Sequence, residues 1–136
     1  MPRNSFLTGS FFDYTTFITQ GSLLINPKMD IEEKFSSIRK GMLEFLVLKI
    51  IAADQVYAAD ILKDLNATDF ATQEGTLYPL LSKLRREELV DYEWKESESG
   101  PPRKYYKLTS KGREQLRDTL EHWQKIITTV KNLGQK

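Results

Sequence analysis

The sequence predicts a mainly α fold with a small β-hairpin: a winged helix-turn-helix followed by a long C-terminal dimerisation helix. Three observations predict it. Apolar residues recur at three- and four-residue steps in three successive segments. Two alternating runs are then joined by the loop Glu96-Ser97-Glu98-Ser99-Gly100-Pro101-Pro102, the pattern of a hairpin. The last segment carries an apolar stripe at heptad spacing. These patterns divide the 136 residues into an extension over 1–28, a winged helix-turn-helix over 29–108 and a dimerisation helix over 109–136.

In the first helical segment Ile31, Phe35, Ile38, Met42, Phe45 and Leu46 form the stripe. Leu43, Val47, Leu48, Ile50 and Ile51 widen it until the helix is apolar most of the way round, which places it inside the domain. Asp30 is the expected N-cap, with Glu33 three residues on, and Asp54-Gln55 reads as a break. The second helix runs from Ala58 to about Leu65, with Ile61, Leu62 and Leu65 inward, and Asn66-Ala67-Thr68-Asp69 has turn chemistry. The third spans about Thr72 to Glu88 on a stripe of Leu77, Leu81 and Leu84, with Leu80 beside it. Pro79 lacks an N–H and fits only a first turn or a kink, so Thr76 is the expected N-cap. In the hairpin Val90, Tyr92 and Trp94 share one face, and Lys104, Tyr106 and Leu108 share one face of the returning strand. Arg103, Tyr105 and Lys107 fall on the side away from the core. Thr109 or Ser110 caps the last helix, where Leu116, Leu120, Trp123, Ile127 and Val130 form the seam and Ile126 and Leu133 flank it. That strip is too long for so small a domain to cover, so a second copy of the chain is the expected partner.

Composition removes several function classes. There is no cysteine, which excludes disulfides and thiolate metal sites and fits a reducing, cytoplasmic setting. One histidine, His122, makes no metal cluster, and no metal or cofactor is expected. Glycine-rich phosphate loops, HExxH and the nucleophile elbow are missing, so an enzyme is not expected. No apolar run approaches the roughly 20 residues needed to span a bilayer, and no membrane partner is expected. Net charge is +1, so a nucleic-acid role has to rest on local patches. The first 28 residues hold Phe6, Phe11, Phe12, Tyr14 and Phe17 among serines and threonines. They read as a flexible tail, with Met29 as a second start, or as an aromatic arm packed on a partner subunit.

Two elements carry candidate DNA contacts. On the third helix Tyr78, Ser82, Lys83 and Arg86 face outward, with Thr72 and Thr76 at its N-terminal end, where a recognition helix meets base edges. In the wing every charge from Pro101 to Arg113 is positive: Arg103, Lys104, Lys107, Lys111 and Arg113. Cations interleaved with Tyr105 suit phosphate contact. The competing reading of these strands is a charged edge that avoids pairing with another chain. A protein-interaction module without DNA binding is the competing function. Trp123 is either a seam residue or a flat surface on which a planar aromatic effector stacks.

Gly75-Thr76-Leu77-Tyr78-Pro79 with Leu84, then Gly100-Pro101-Pro102-Arg103-Lys104-Tyr105-Tyr106-Lys107-Leu108-Thr109 and Gly112, resemble the signature of PadR-type transcriptional regulators. The resemblance covers roughly residues 35–133, estimated from where the helical pattern starts, and matches the subfamily with a single C-terminal dimerisation helix. It implies a sequence-specific DNA-binding homodimer on an inverted repeat, a ligand-responsive repressor. Some members respond to phenolic acids or planar cationic drugs, and in drug-responsive members a Trp on the last helix lines a pore between subunits; Trp123 stands at that place. The chain departs from the pattern twice. Tyr57-Ala58-Ala59 stands where a His-Gly-Tyr-like start is usual, which removes one expected DNA-backbone or packing contact. Glu88 stands where glycine is usual in the turn after the recognition helix, a strained choice if φ there is positive.

Overall fold

A computed structural model describes residues 27–135. The readings made for residues 1–26 lie outside the described residues. The elements are α1 (Pro27–Lys34), α2 (Ser36–Ala53), α3 (Ala58–Asn66), α4 (Glu74–Arg86), β1 (Val90–Ser97), β2 (Gly100–Leu108) and α5 (Ser110–Asn132). Four helices precede the hairpin where the sequence predicted three, and the hairpin and the long last helix follow in the predicted order.

The chain divides into a unit ending at Ile38 and a larger one from Arg39 onward. In the first, the expected single helix is two: α1 begins at Pro27, so Asp30 falls inside it instead of capping it, and a turn at Phe35 separates it from α2. Nor is this stretch interior. Ile31, Phe35 and Ile38 are about half exposed, which corrects the expectation of a helix buried along its length. Burial on α2 begins at Phe45.

In the second unit the core is built by α2, α3, α4 and the hairpin, at positions set by helical and strand periods. Val47, Leu48 and Ile51 come from α2, Ala58, Ile61 and Leu65 from α3, and Leu77, Leu81 and Leu84 from α4. Leu89, Val90, Tyr106 and Leu108 close it from the hairpin side. The strands pair antiparallel with Val90 opposite Leu108, Tyr92 opposite Tyr106 and Trp94 opposite Lys104, the faces that alternation predicted. A backbone bridge between Val56 and Tyr106 adds the α2–α3 linker to the hairpin: the Tyr106 N–H donates to the Val56 carbonyl at 2.7 Å. Burial pushes the Tyr106 phenol above its ordinary pKa, with smaller upward effects from Tyr78 and Tyr92.

Gln73, not Thr76, is the N-cap of α4. Its carbonyl receives the Thr76 and Leu77 N–H groups, both at 3.0 Å, so Pro79 lies past the first turn. The carbonyl that Pro79 leaves without an N–H belongs to Gly75, an exposed residue. At the other end α4 stops in a Schellman turn. Leu89 N–H bonds the Leu84 carbonyl and Glu88 N–H the Arg85 carbonyl, both at 2.9 Å. Leu84 and Leu89 are both buried, the apolar contact that accompanies this turn. The turn puts Glu88 at φ 63°, the left-handed region. Its side chain is exposed. Glu88→Gly is therefore expected to stabilise the fold by about 1 kcal/mol, a rise in Tm of about 3–4 °C; an unchanged or lower Tm in a thermal scan would show that the turn is not strained.

That turn also seats α5. The Thr109 hydroxyl donates to the Glu88 carbonyl at 2.6 Å and accepts the Gly112 N–H at 3.0 Å as the helix N-cap. Lys111 Nζ donates to the Glu87 carbonyl at 2.9 Å. Gly112 is buried hard against this turn: a Cβ placed on it would lie 2.0 Å from the Leu89 carbonyl oxygen.

Candidate nucleic-acid interface

Helix α4 presents three sides. Leu77, Leu81 and Leu84 face the core, and the rotation of 100° per residue then separates Tyr78 and Ser82 on one flank from Thr76 and Lys83 on the other. Tyr78 is half exposed and Ser82 is exposed. Both turn toward the wing. Together with Trp94, Arg103 and Lys104 they line a cleft of about 390 Å³ whose floor includes Tyr106. A neighbouring hollow takes in Ser82, Arg85, Arg86, Tyr92 and Lys104. The structure thus brings Tyr78, Ser82, Arg86, Arg103 and Lys104 together.

It sets other candidates apart. Lys83 points to α2, where its Nζ donates to Glu44 Oε2 at 2.9 Å; Glu87 Oε1 lies at 3.9 Å. The Glu44 hydrogen bond and charge, then Glu87, hold the amine above its ordinary pKa. Thr72 precedes α4 and donates its backbone N–H to Asn66 Oδ1 at 3.1 Å. Thr76, in the first turn of α4, is exposed, as is Lys107 on β2.

The wing's outer side differs from the expected row of free cations. Tyr105 and Arg103 are half-buried, because Tyr57 folds over them. Its ring lies 5.6 Å from that of Tyr105, and the Arg103 guanidinium stands 4.7 Å over it. Lys95 stacks over Tyr105 at 5.1 Å and hydrogen-bonds Gln55. On the inner side Lys104 sits over Tyr92 and Trp94, at 4.6 and 5.4 Å, and Arg85 over Tyr92 at 4.3 Å. Arg85 also pairs with Asp91 at 3.7 Å. Lys95, Arg103 and Lys104 thus each rest on a ring, which limits their rotamers, while Lys107 is exposed. Sequence reading missed Tyr57, Trp94 and Arg85 as members of this surface. The aromatic spacing of Tyr92, Trp94, Tyr105 and Tyr106 carried a signal; nothing local tied Tyr57 to them. Tyr57 also supplies a packing contact at the place where the chain departs from the His-Gly-Tyr-like pattern.

On α5 the seam is uneven. Leu116 and Trp123 are half-buried, and Leu116 packs against the chain's own core. Leu120, Ile127 and Val130 are exposed, Val130 to 73%. Among the described residues no group of three or more His, Cys, Asp or Glu is arranged to hold a metal ion, and no helix is long and apolar enough to cross a membrane.

Comparison with known proteins gives a consistent result. The family described as transcriptional regulator PadR-like matches residues 47–118. A PadR-like transcription factor from Bacteroides fragilis is 42% identical, with 75% of this chain and 99% of that one covered and a TM-score of 0.65. A PadR-like transcriptional regulator from Bacillus cereus is 41% identical over 74% of this chain and 99% of its own, with a TM-score of 0.67. A curated protein of Lysinibacillus sphaericus is 29% identical over 94 residues, 67% of this chain and 86% of that protein.

Proposed function

The chain belongs to the PadR-like family of transcriptional regulators, and from that premise we propose that it is a ligand-responsive repressor in the cytoplasm, binding an inverted DNA repeat as a homodimer. Residues 29–108 read the DNA and residues 109–136 join the subunits. One observation carries the reading: hydroxyls from α4, Tyr78 and Ser82, and cations from β2, Arg103 and Lys104, line one cleft. A sugar–phosphate strand entering it meets hydrogen-bond donors from both sides. Thr72 and Thr76 extend that contact at the helix start, Arg86 at its end, and Tyr105 and Lys107 along the wing. The two readers of a two-fold dimer lie about one DNA turn apart, roughly 34 Å, or a multiple of it.

Binding to DNA flanking its own gene, followed by footprinting over a range of salt, tests this. A protected inverted repeat bound far more tightly than random DNA is expected. Arg103→Ala and Lys104→Ala should each weaken binding on all sequences and reduce the salt slope by about 0.9, one phosphate apiece. Lys83→Ala, with its amine engaged by Glu44, should leave the preference for cognate DNA unchanged; a lost preference would make Lys83 a base reader. Equal affinity for all duplexes, or none, would refute sequence-specific regulation.

The effector reading rests on Trp123, midway along the apolar strip of α5. Two symmetry-related indoles facing a gap would sandwich a planar aromatic ring, adding about 0.5–1.5 kcal/mol beyond area burial. Titration of planar dyes and phenolic acids into the Trp94→Phe variant, which leaves Trp123 as the one tryptophan, should quench its fluorescence and lower DNA affinity. No response at millimolar ligand would make Trp123 a packing residue.

A further inference from the structure

The α2–α3 linker grips the wing at three consecutive residues. Gln55 accepts a hydrogen bond from Lys95, Val56 bridges Tyr106 through the backbone, and Tyr57 covers Tyr105 and Arg103. The first two contacts fix where the strand lies. The third acts on a side chain that is otherwise long and free to rotate. With the Arg103 guanidinium 4.7 Å above the Tyr57 ring centre, the π face holds the planar group by attraction and restricts its rotamers. Besides packing on Tyr105, Tyr57 lines the same cleft as Arg103. As the residue before α3 it makes no side-chain cap hydrogen bond, and its ring is half-buried against the wing instead of in the core.

We propose that Tyr57 is a positioning residue for DNA binding: its ring holds Arg103 in the one orientation that meets a backbone phosphate. This rests on the DNA-binding role of the wing given above. Arg103 pays rotamer entropy when it binds a phosphate from a free state, and a stacked guanidinium has lost most of that freedom beforehand. The hydroxyl of Tyr57 has no part in this, so phenylalanine should serve and an aliphatic residue should not, although leucine preserves apolar cover on Tyr105.

The experiment compares Tyr57→Phe, Tyr57→Leu, Arg103→Ala and the double variant Tyr57→Leu/Arg103→Ala in salt-dependent binding to an operator fragment, with Tm recorded for each. Tyr57→Phe is expected to bind as the parent protein does. Tyr57→Leu should lose about 3- to 30-fold in affinity, the range of a cation–π contact, with part of the salt slope that Arg103→Ala loses. The double variant should bind no worse than Arg103→Ala, since the ring has nothing left to position. A general loosening of the fold would instead lower Tm, weaken the double variant further and leave the slope intact. Parental binding by Tyr57→Leu, or additive losses in the double variant, overturns the positioning role while Arg103 keeps its contact. An unchanged slope in Arg103→Ala overturns the wing contact itself, and the positioning role with it.

Discussion

Gly112→Ala is expected to cost about 2–3 kcal/mol of stability, the upper part of the range for forcing a group into a filled interior, and to lower Tm by about 7–10 °C. The added methyl would lie 2.0 Å from the Leu89 carbonyl oxygen and 3.0 Å from its carbon. That neighbour is backbone, held in the Schellman turn by Leu84 and capped by Thr109, so it cannot swing aside as a side chain would. Relief requires α5 to lift off the hairpin root, breaking the Thr109 and Lys111 bonds to Glu88 and Glu87. Gly41 is the control. It sits in α2 with nothing within 4 Å of its would-be Cβ, so Gly41→Ala should raise stability by about 0.5–1 kcal/mol through helix propensity. Chemical denaturation of the two variants checks both signs. Equal stability would show that the α5 root is loose.

The second large effect is on assembly. Replacing Leu120 and Ile127 together with glutamate should convert the dimer to a monomer and reduce operator affinity by about 100-fold or more, because the two half-sites would no longer be bound by linked readers. Both residues are exposed on the single chain, Leu120 to 39% and Ile127 to 61%, so the substitutions leave the core untouched and the helix signal should persist by circular dichroism. A parental chain that sediments as a monomer and binds its operator with full affinity would sink the dimer proposal.

Where local periodicity decides the structure, the sequence was legible. The stripe Leu77, Leu81 and Leu84, the alternation through Tyr92 and Tyr106, and the Thr109 cap each follow from residues within one or two turns of each other. Glu88 stood out only against the glycine usual in the family the sequence resembles, and the structure supplied the positive φ that makes it strained. Sequence could not show Lys83 meeting Glu44 across 39 residues, or Tyr57 lying on Arg103. Those contacts depend on how α2, α4 and the wing stack, and any of several exposed partners satisfies the same pattern. The wide apolar stripe at the start of the chain misled for a related reason. Apolarity reports that a face needs cover, not which residues supply it, and among the described residues Ile31, Phe35 and Ile38 are about half exposed.

The filled joint at Gly112 makes a lever of the last helix. A joint with slack would absorb a small rotation; this one would transmit it, because the start of α5 is seated against the backbone of the turn at Leu89 with no space between. The 23 residues of α5 span about 35 Å, so in the proposed homodimer a tilt of about 10° between the two copies of α5 would swing each DNA-binding head through about 6 Å, by the same helix rise. That is close to two base-pair steps, enough to take one head out of its groove while the other stays seated. A ligand wedged far from the DNA would thus need to alter only one angle, and stiffening at the joint, not flexibility, is what would carry its message.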